Sequence, residues 1–323
     1  MNYITCVSPH LRTDNDTRNI MLDVIIALVP ATIFGIIIFG FSALLTVAVS
    51  VAAAVLSEAL YCFVLKKTLT TGDLSAVVTG LILSLNLPAG IPLYITALGA
   101  VFAVVFAKLI FGGLGKNIVN PAIAARVFLL VAFPSAMTSF VEPFSDITAS
   151  ATPLISDGYQ FNEIFFGVCP GSIGETSVIM LLFGGAYLVT RKVITLHIPL
   201  SFILTVFIFA LISGQNPFYA ISTGGVMLGA IFMATDYVTS PMTKSGKVVF
   251  GIGCGLITMI IRIFASLPEG VSYSILIMNL LVPLIDRFIV TYPFGAKTEE
   301  RGEREVCSIF SKIKMSITKL FCR

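Results

Sequence analysis

The sequence predicts an all-α polytopic membrane protein, and three observations lead to that fold class. Of the 323 residues, 57% are hydrophobic and only 11% are charged, whereas a soluble domain carries about 25% charged residues. The mean hydropathy is +0.99. Apolar segments recur along the chain, several of them near the roughly 20 residues that a helix needs to cross a hydrocarbon core. So few charges could not cover the surface of a soluble protein of this length.

Ten apolar segments are predicted to cross the membrane, and the third and eighth of them are short and interrupted by Gly or Pro. In chain order they are 21–39, 43–65, 74–87, 93–111, 122–140, 177–190, 199–213, 223–235, 248–267 and 271–290. They form a single transmembrane domain, 21–290. A polar segment, 1–20, precedes this domain and a basic tail, 291–323, follows it.

The distribution of positive charge predicts how these segments are oriented. With the N-terminus in the cytoplasm, every loop on the cytoplasmic side carries Lys or Arg, and the extracytoplasmic loops carry none. Cytoplasmic loops of membrane proteins are enriched in these residues. We therefore expect an inner or plasma membrane protein with both termini in the cytoplasm and the loop 140–176 outside. The small net charge of +3 gives no indication of a nucleic-acid partner.

The two short segments occupy matching positions in two halves of five segments each. Repeat one covers about 21–140 and repeat two about 177–290. Because five is an odd number, the two halves must have inverted topology. Interrupted helices at matching positions of inverted repeats are typical of a central binding or transit site. The alternative is that both helices are merely kinked for packing.

The tail shows apolar residues at helical spacing, interspersed with Lys and Arg, between 306 and 323. This pattern is typical of an amphipathic helix on the anionic cytoplasmic leaflet. A frayed basic tail or a contact with another protein of a complex would explain the pattern equally well.

Ionisable residues inside the apolar segments are candidates for ion handling, because an unpaired charge at membrane depth costs several kcal/mol. Glu58 and Arg126 are the best candidates for an ion pathway, and a structural inter-helix pair is the alternative for each. Arg262 lies nearer the middle of its segment and needs a partner such as Glu58. The six cysteines include no Cys-x-x-Cys spacing, which argues against an Fe–S or zinc site held by this chain alone.

The loop 140–176 contains five acidic residues, no Lys or Arg, and the sequence Ser-Ala-Thr-Pro-Leu at 150–154. A threonine hydroxyl is a poor nucleophile, so ester formation at Thr152 would need a separate enzyme to activate the donor. The small neighbours of Thr152 leave room for that enzyme, and Pro153 stiffens the turn. Taken alone, such a loop threonine is weak evidence for modification.

Five blocks of sequence, in order along the chain, resemble the NqrB/RnfD family of membrane subunits in ion-pumping redox complexes. They lie at 8–28, 75–88, 113–122, 171–177 and 234–241, and 150–154 resembles the flavinylation segment of the same family. The resemblance implies FMN esterified through its phosphate to Thr152, in an attachment motif made of Asp146, Ser150, Ala151 and Pro153. The usual pattern has Ser or Thr three positions before the modified residue, where this chain has Ala149.

The resemblance also implies a second, non-covalent flavin, such as riboflavin, toward the cytoplasmic side. The residues of this chain that we expect to shape its site are Lys116, Asn120, Asp236, Thr239 and Ser240.

The resemblance favours the RnfD branch, whose members are membrane subunits of ion-translocating ferredoxin:NAD oxidoreductases and are not catalytic alone. The implied partners are the other membrane, flavin and Fe–S subunits, a flavin transferase, the lipid bilayer, and Na⁺ or H⁺. The NqrB branch of Na⁺-pumping NADH:quinone reductases is an alternative, although its members have longer N-termini. A flavin-free solute channel or transporter, or a purely structural scaffold protein, is an alternative from a different class.

Overall fold

The computed structural model describes residues 16–67, 70–144, 148–149, 161–175, 177–265 and 270–289. Within these ranges the chain is helical, apart from turns and one antiparallel pair of short strands. The tail 291–323, and with it the predicted amphipathic helix, lies outside the described residues.

Twelve helices follow one another in the described ranges. They are α1 Thr17–Val64, α2 Ser75–Leu85, α3 Leu93–Val101, α4 Pro121–Ala132, α5 Pro134–Met137, α6 Phe161–Phe166, α7 Val178–Thr190, α8 His197–Ile212, α9 Pro217–Ser222, α10 Val226–Leu228, α11 Lys244–Phe264 and α12 Gly270–Phe288. Two π-helical stretches, Phe102–Leu109 and Gly229–Met233, continue α3 and α10, and a 3-10 turn, Thr71–Asp73, precedes α2. The strands β1 Phe140–Val141 and β2 Thr148–Ala149 pair with Phe140 opposite Ala149.

Helix α1 folds back on itself at Gly40. A straight helix of its 48 residues would be about 72 Å long. However, Ile20 lines the same cavity as Lys108, and the Lys108 Nζ lies 3.0 Å from Glu58 Oε1. The two halves of α1 therefore run side by side. Gly40 makes the reversal possible with φ 69° and ψ −147°, a conformation that is essentially restricted to glycine.

The distribution of polar and apolar side chains is that of a membrane protein. Large apolar side chains cover the outside, with exposures of 71–79% at Phe41, Phe63, Val131, Ile212 and Phe264. Fully buried polar side chains occur inside, at Thr46, Ser50, Thr96, Ser272 and Ser274. Among the described residues, three helices, α1, α11 and α12, are long and apolar enough to cross a membrane. Such a surface is stable only in contact with lipid or detergent.

Each of the ten predicted apolar segments coincides with helical residues, but several of these helices are shorter than predicted. The segment 122–140 is divided because Pro134 lacks the N–H that a continuing helix needs, so α4 ends at Ala132. The segment 74–87 contains the 11 residues of α2, and 223–235 contains the three residues of α10 and its π-helical continuation.

Candidate functional site

The two interrupted helices meet at Arg126, which is 2% exposed. Helix α2 ends at Leu85, and the next side chain, Asn86, accepts a hydrogen bond of 2.6 Å from Arg126 Nη1. The Asn86 amide nitrogen lies 3.5 Å from Met233 Sδ, at the end of the π-helical continuation of α10. Gly225, directly before α10, is so close that a Cβ there would lie 3.7 Å from Arg126 Nη1. We call this meeting point the junction.

A segment of the loop that follows α6, residues 171–175, inserts into the junction. Ile173 N donates to Leu87 O at 3.1 Å, and Gly174 N donates to Leu85 O at 2.8 Å. These bonds use carbonyl groups at the end of α2 that have no acceptor role inside that helix. Ile173 is 0% exposed, and the Glu175 carboxyl carbon lies 3.7 Å from a Cβ built on Gly225. The segment therefore fills the space between the two helix interruptions.

On the other side of the interruptions lies a cavity of about 320 Å³, which we call the central cavity. This volume is at the lower end of the range for small-molecule sites, roughly 300–1,000 Å³. Its wall is mostly apolar and comes from the start of α1, from α2, from the end of α7 and from the turn after the π-helix. Its polar lining residues are Thr17, Ser75, Thr79, Lys108, Asn117, Asn120, Thr235, Asp236 and Tyr237. An apolar cavity with a few polar groups is typical of a binding site for an organic ligand.

The expected second-flavin residues divide into two groups. Asn120 and Asp236 line the central cavity, whereas Thr239 and Ser240 are buried behind it. Lys116 is exposed on the loop before α4 and does not line the cavity, although its neighbours Gly115 and Asn117 do.

Asn120 fixes one edge of the central cavity. Its side-chain oxygen accepts from Ala122 N at 3.0 Å and so caps α4, and its amide donates to Met233 O at 3.1 Å. The Asn279 amide, oriented to satisfy both neighbours, accepts from Asn120 N and donates to Thr239 O, each at 3.1 Å. Thr239 is thus a supporting residue that connects the cavity edge to α12.

Asp236 presents a carboxyl group to the central cavity. It accepts a hydrogen bond from Thr239 Oγ1 at 3.1 Å. Burial raises the pKa of Asp236, and the hydrogen bonds from Thr239 and from the Val238 backbone oppose that rise. The carboxylate is therefore held less favourably here than in water.

Glu58 forms a buried ion pair with Lys108, a residue that was not predicted from the sequence. The Lys108 Nζ lies 3.0 Å from Glu58 Oε1 and 2.6 Å from Ser75 Oγ, and both charged side chains are at most 2% exposed. Thr70 Oγ1 donates to Glu58 Oε1 at 2.8 Å, and Ser75 Oγ donates to Asp73 Oδ1 at 2.6 Å. These five residues form what we call the Lys108 cluster. Ser75 and Lys108 also line the central cavity.

Arg262, for which the sequence offered Glu58 only as one possible partner, is bound by backbone carbonyl groups instead. The Arg262 guanidinium donates to the carbonyl oxygens of Ala220, Thr223 and Gly224, at 2.8, 2.9 and 3.1 Å. The Ala220 carbonyl lies in the last turn of α9 and the other two lie between α9 and α10, where no continuing helix supplies them with a donor. Arg262 therefore stabilises the interruption of this helix.

The expected attachment motif for FMN, Asp146, Ser150, Ala151, Thr152 and Pro153, lies outside the described residues. The described parts of the same loop are anchored: Phe144 N donates to Ile38 O at 3.0 Å, next to the reversal of α1. Further along, burial and the nearby Glu175 and Glu163 raise the pKa of Cys169 to about 12. Among the described residues there is no group of His, Cys, Asp and Glu that could hold a metal ion.

Comparison with known proteins shows similarity along nearly the whole chain. A family model described as "NQR2, RnfD, RnfE family" matches residues 4–295. The D subunit of the Na⁺-translocating ferredoxin:NAD⁺ oxidoreductase complex of Acetobacterium woodii is 47% identical over 305 residues, which cover 91% of this chain and 96% of the relative. The D subunit of the proton-translocating ferredoxin:NAD⁺ oxidoreductase complex of Clostridium ljungdahlii is 41% identical, with 90% and 95% covered. The D subunit of an ion-translocating oxidoreductase complex of Stutzerimonas stutzeri is 34% identical, with 93% and 98% covered.

Proposed function

Because the chain belongs to the NQR2, RnfD, RnfE family, we propose that it is the RnfD component of an Rnf-type complex, an ion-translocating ferredoxin:NAD oxidoreductase. The observation that carries this proposal is the match, over about nine-tenths of the chain, to relatives that bear that name. The chain would act in electron transport together with the other membrane, flavin and Fe–S subunits, and would not be catalytic alone.

The proposed topology has ten membrane spans in two inverted repeats of five. The coincidence of each apolar segment with helical residues supports it, as do the interruptions of the third and eighth segments. The Lys and Arg distribution supports cytoplasmic termini and an extracytoplasmic loop 140–176. In this orientation the central cavity faces the cytoplasm, and the junction faces the outside.

We further propose that Thr152 carries FMN through a phosphoester bond made by a separate flavin transferase. The FMN supplies a redox group that accepts and passes on electrons. The support is the resemblance of residues 150–154 to the flavinylation segment of the family, with Ala149 as its one departure.

The test is mass spectrometry of the peptide from 140 to 176, together with flavin fluorescence of the chain on a denaturing gel. The Thr152→Ala variant should lose both the flavin mass and the fluorescence while the complex still assembles. Thr148→Ala is the matched control and should keep both. A wild-type chain without covalent flavin would contradict the attachment and would favour the flavin-free channel or transporter.

For the central cavity we propose a non-covalent flavin such as riboflavin. The support is its volume, its apolar walls, and the polar groups of Asn120 and Asp236 at its edge. An isoalloxazine ring combines two apolar faces with polar edge atoms, and the wall of this cavity offers both kinds of contact.

A pair of tryptophan variants tests this site. Val24 lines the central cavity from α1, so Val24→Trp should lower the content of flavin that denaturant releases. Val29 lies on the same helix but is 41% exposed, so Val29→Trp should leave that content unchanged. Equal flavin content in both variants would contradict the proposed site. The native chain contains no tryptophan, so each variant also carries a single fluorescent reporter.

Glu58 and Arg126 are proposed to lie on the pathway of the coupling ion, Na⁺ or H⁺. Glu58 belongs to the Lys108 cluster at the wall of the central cavity, and Arg126 lies at the junction. The two residues thus face the two sides of the helix interruptions. Electron transfer changes the charge near these groups, which gives a physical reason for coupling to ion movement.

A further inference from the structure

We propose that the Lys108 cluster is a Na⁺-binding site in which the Lys108 ammonium occupies the position of the bound ion and is displaced by it. This inference rests on the proposed ion-translocating function and adds the identity of one binding site. The ligands would be the Glu58 carboxylate and the oxygens of Thr70, Ser75 and Asp73.

The Lys108 cluster has the ligand chemistry of a site for a small cation. An ammonium group and Na⁺ carry the same charge, and both are bound by oxygen atoms. The Lys108 Nζ already lies between Glu58 Oε1 at 3.0 Å and Ser75 Oγ at 2.6 Å. The hydroxyl of Thr70 and the carboxylate of Asp73 are each one hydrogen bond further away. The cluster therefore contains enough oxygen ligands for a small hard cation.

The Lys108 ammonium leaves one oxygen atom of the Glu58 carboxylate unused. Glu58 is 0% exposed, and its Oε2 atom has no hydrogen-bond partner among the described residues. A buried polar atom without a partner is costly and calls for an explanation. A cation with several oxygen ligands can bind both atoms of a carboxylate, whereas the ammonium contacts only Oε1. If Na⁺ takes the position of the ammonium, Glu58 Oε2 also gains a partner.

The Lys108 cluster is accessible from the central cavity. Lys108 and Ser75 line the central cavity, so an ion in that cavity reaches the cluster directly. Lys108 lies on the π-helical stretch Phe102–Leu109, and such stretches occur frequently at functional sites. The long flexible stem of lysine lets the ammonium move into the same cavity, where the Asp236 carboxyl group offers another partner. After this exchange Na⁺ would lie beside the Glu58 carboxylate, and the Lys108 ammonium would lie beside the carboxyl group of Asp236.

The experiment compares thermal unfolding of the full chain in detergent, in NaCl and in N-methylglucamine chloride of equal ionic strength. In Lys108→Met the competing ammonium is gone, so Na⁺ should raise the Tm by about 5 °C or more over N-methylglucamine. The matched control is the double variant Glu58→Gln with Lys108→Met, which lacks the Glu58 carboxylate that would hold the ion and should show no difference. In the wild-type chain the ammonium competes, so a smaller Na⁺ effect is expected, and it should vanish in Glu58→Gln.

An equal Tm of Lys108→Met in both salts would overturn the proposal. So would a Lys108→Met chain that fails to fold in NaCl while the double variant folds, because Na⁺ would then be unable to replace the ammonium. If neither variant with Met at 108 is recovered, the wild-type chain is compared with Glu58→Gln. A Tm that Na⁺ raises equally in both, or in neither, would then overturn the proposal. The Tm measurement does not involve flavin. A negative result for the Na⁺ site would therefore leave the tests of Thr152 and of the central cavity unaffected.

Discussion

Replacement of Gly40 by alanine tests whether α1 depends on a backbone conformation that only glycine adopts. At φ 69° and ψ −147°, a residue with a Cβ is strained by about 1–3 kcal/mol. No heavy atom lies within 4 Å of a Cβ built at Gly40, so the expected loss contains no steric contribution. At ~2 °C per kcal/mol for a chain of this size, the Tm should fall by about 2–6 °C.

Alanine substitutions at two other glycines provide comparisons for Gly40→Ala. Gly72 also has open space around it but no positive φ, so Gly72→Ala should be neutral or stabilise the chain by up to about 1 kcal/mol. At Gly184 a Cβ would lie 2.2 Å from the Ala27 carbonyl oxygen, so Gly184→Ala forces α1 and α7 apart and should cost the most. The assay is the loss of the monodisperse chromatographic peak after heating in detergent. Equal Tm values for Gly40→Ala and Gly72→Ala would refute the reasoning.

Three further predictions concern the polar groups described above. Cys169, with its pKa raised to about 12, should react with iodoacetamide at pH 8 about 10³ times more slowly than an ordinary thiol, and peptide mass spectrometry of native and denatured chains measures this. Asn86→Ala removes the acceptor of the hydrogen bond from Arg126 Nη1 and should lower the free energy of unfolding by about 1.5–3 kcal/mol, whereas Asn86→Asp keeps an acceptor and should lose less. Because the pKa of Asp236 is raised in the folded chain, its ionisation weakens the fold as pH rises through that pKa. Asp236→Asn should therefore stabilise the chain at neutral pH and lose this advantage near the unfolded value of about 3.9, in a pH series of melting temperatures.

The positions of the helices could be predicted from sequence because burial in lipid demands continuous apolar segments. A reversal between segments 21–39 and 43–65 was predicted as well, but not that a single glycine with a positive φ, Gly40, would make it without a separate loop. The division at Pro134 was visible in principle, because a proline interrupts the backbone hydrogen bonds of any helix that reaches it.

For the charged residues, the sequence predicted some of the buried positions but not the partners. Glu58 and Arg126 were identified because charges in apolar segments are rare, but their partners depend on which helices pack together. Lys108 was overlooked although the same reasoning applies to it, since it lies in the apolar segment 93–111. The sequence offered Glu58 as one possible partner of Arg262, whereas in the structure its two terminal nitrogens donate to backbone carbonyl groups. A sequence pattern does not indicate which backbone carbonyl groups will be available to accept hydrogen bonds from a side chain.

The inserted segment 171–175 has a consequence for the permeability of the membrane. A bioenergetic membrane stores about 2.3 kcal/mol per elementary charge for each 100 mV, and a continuous water path through two interrupted helices would dissipate that voltage. Ser172 and Ile173 are at most 1% exposed, and Ile173 and Gly174 are hydrogen-bonded to the end of α2. In the proposed topology, this five-residue stretch therefore occupies the space through which water and ions would otherwise pass between the two interruptions.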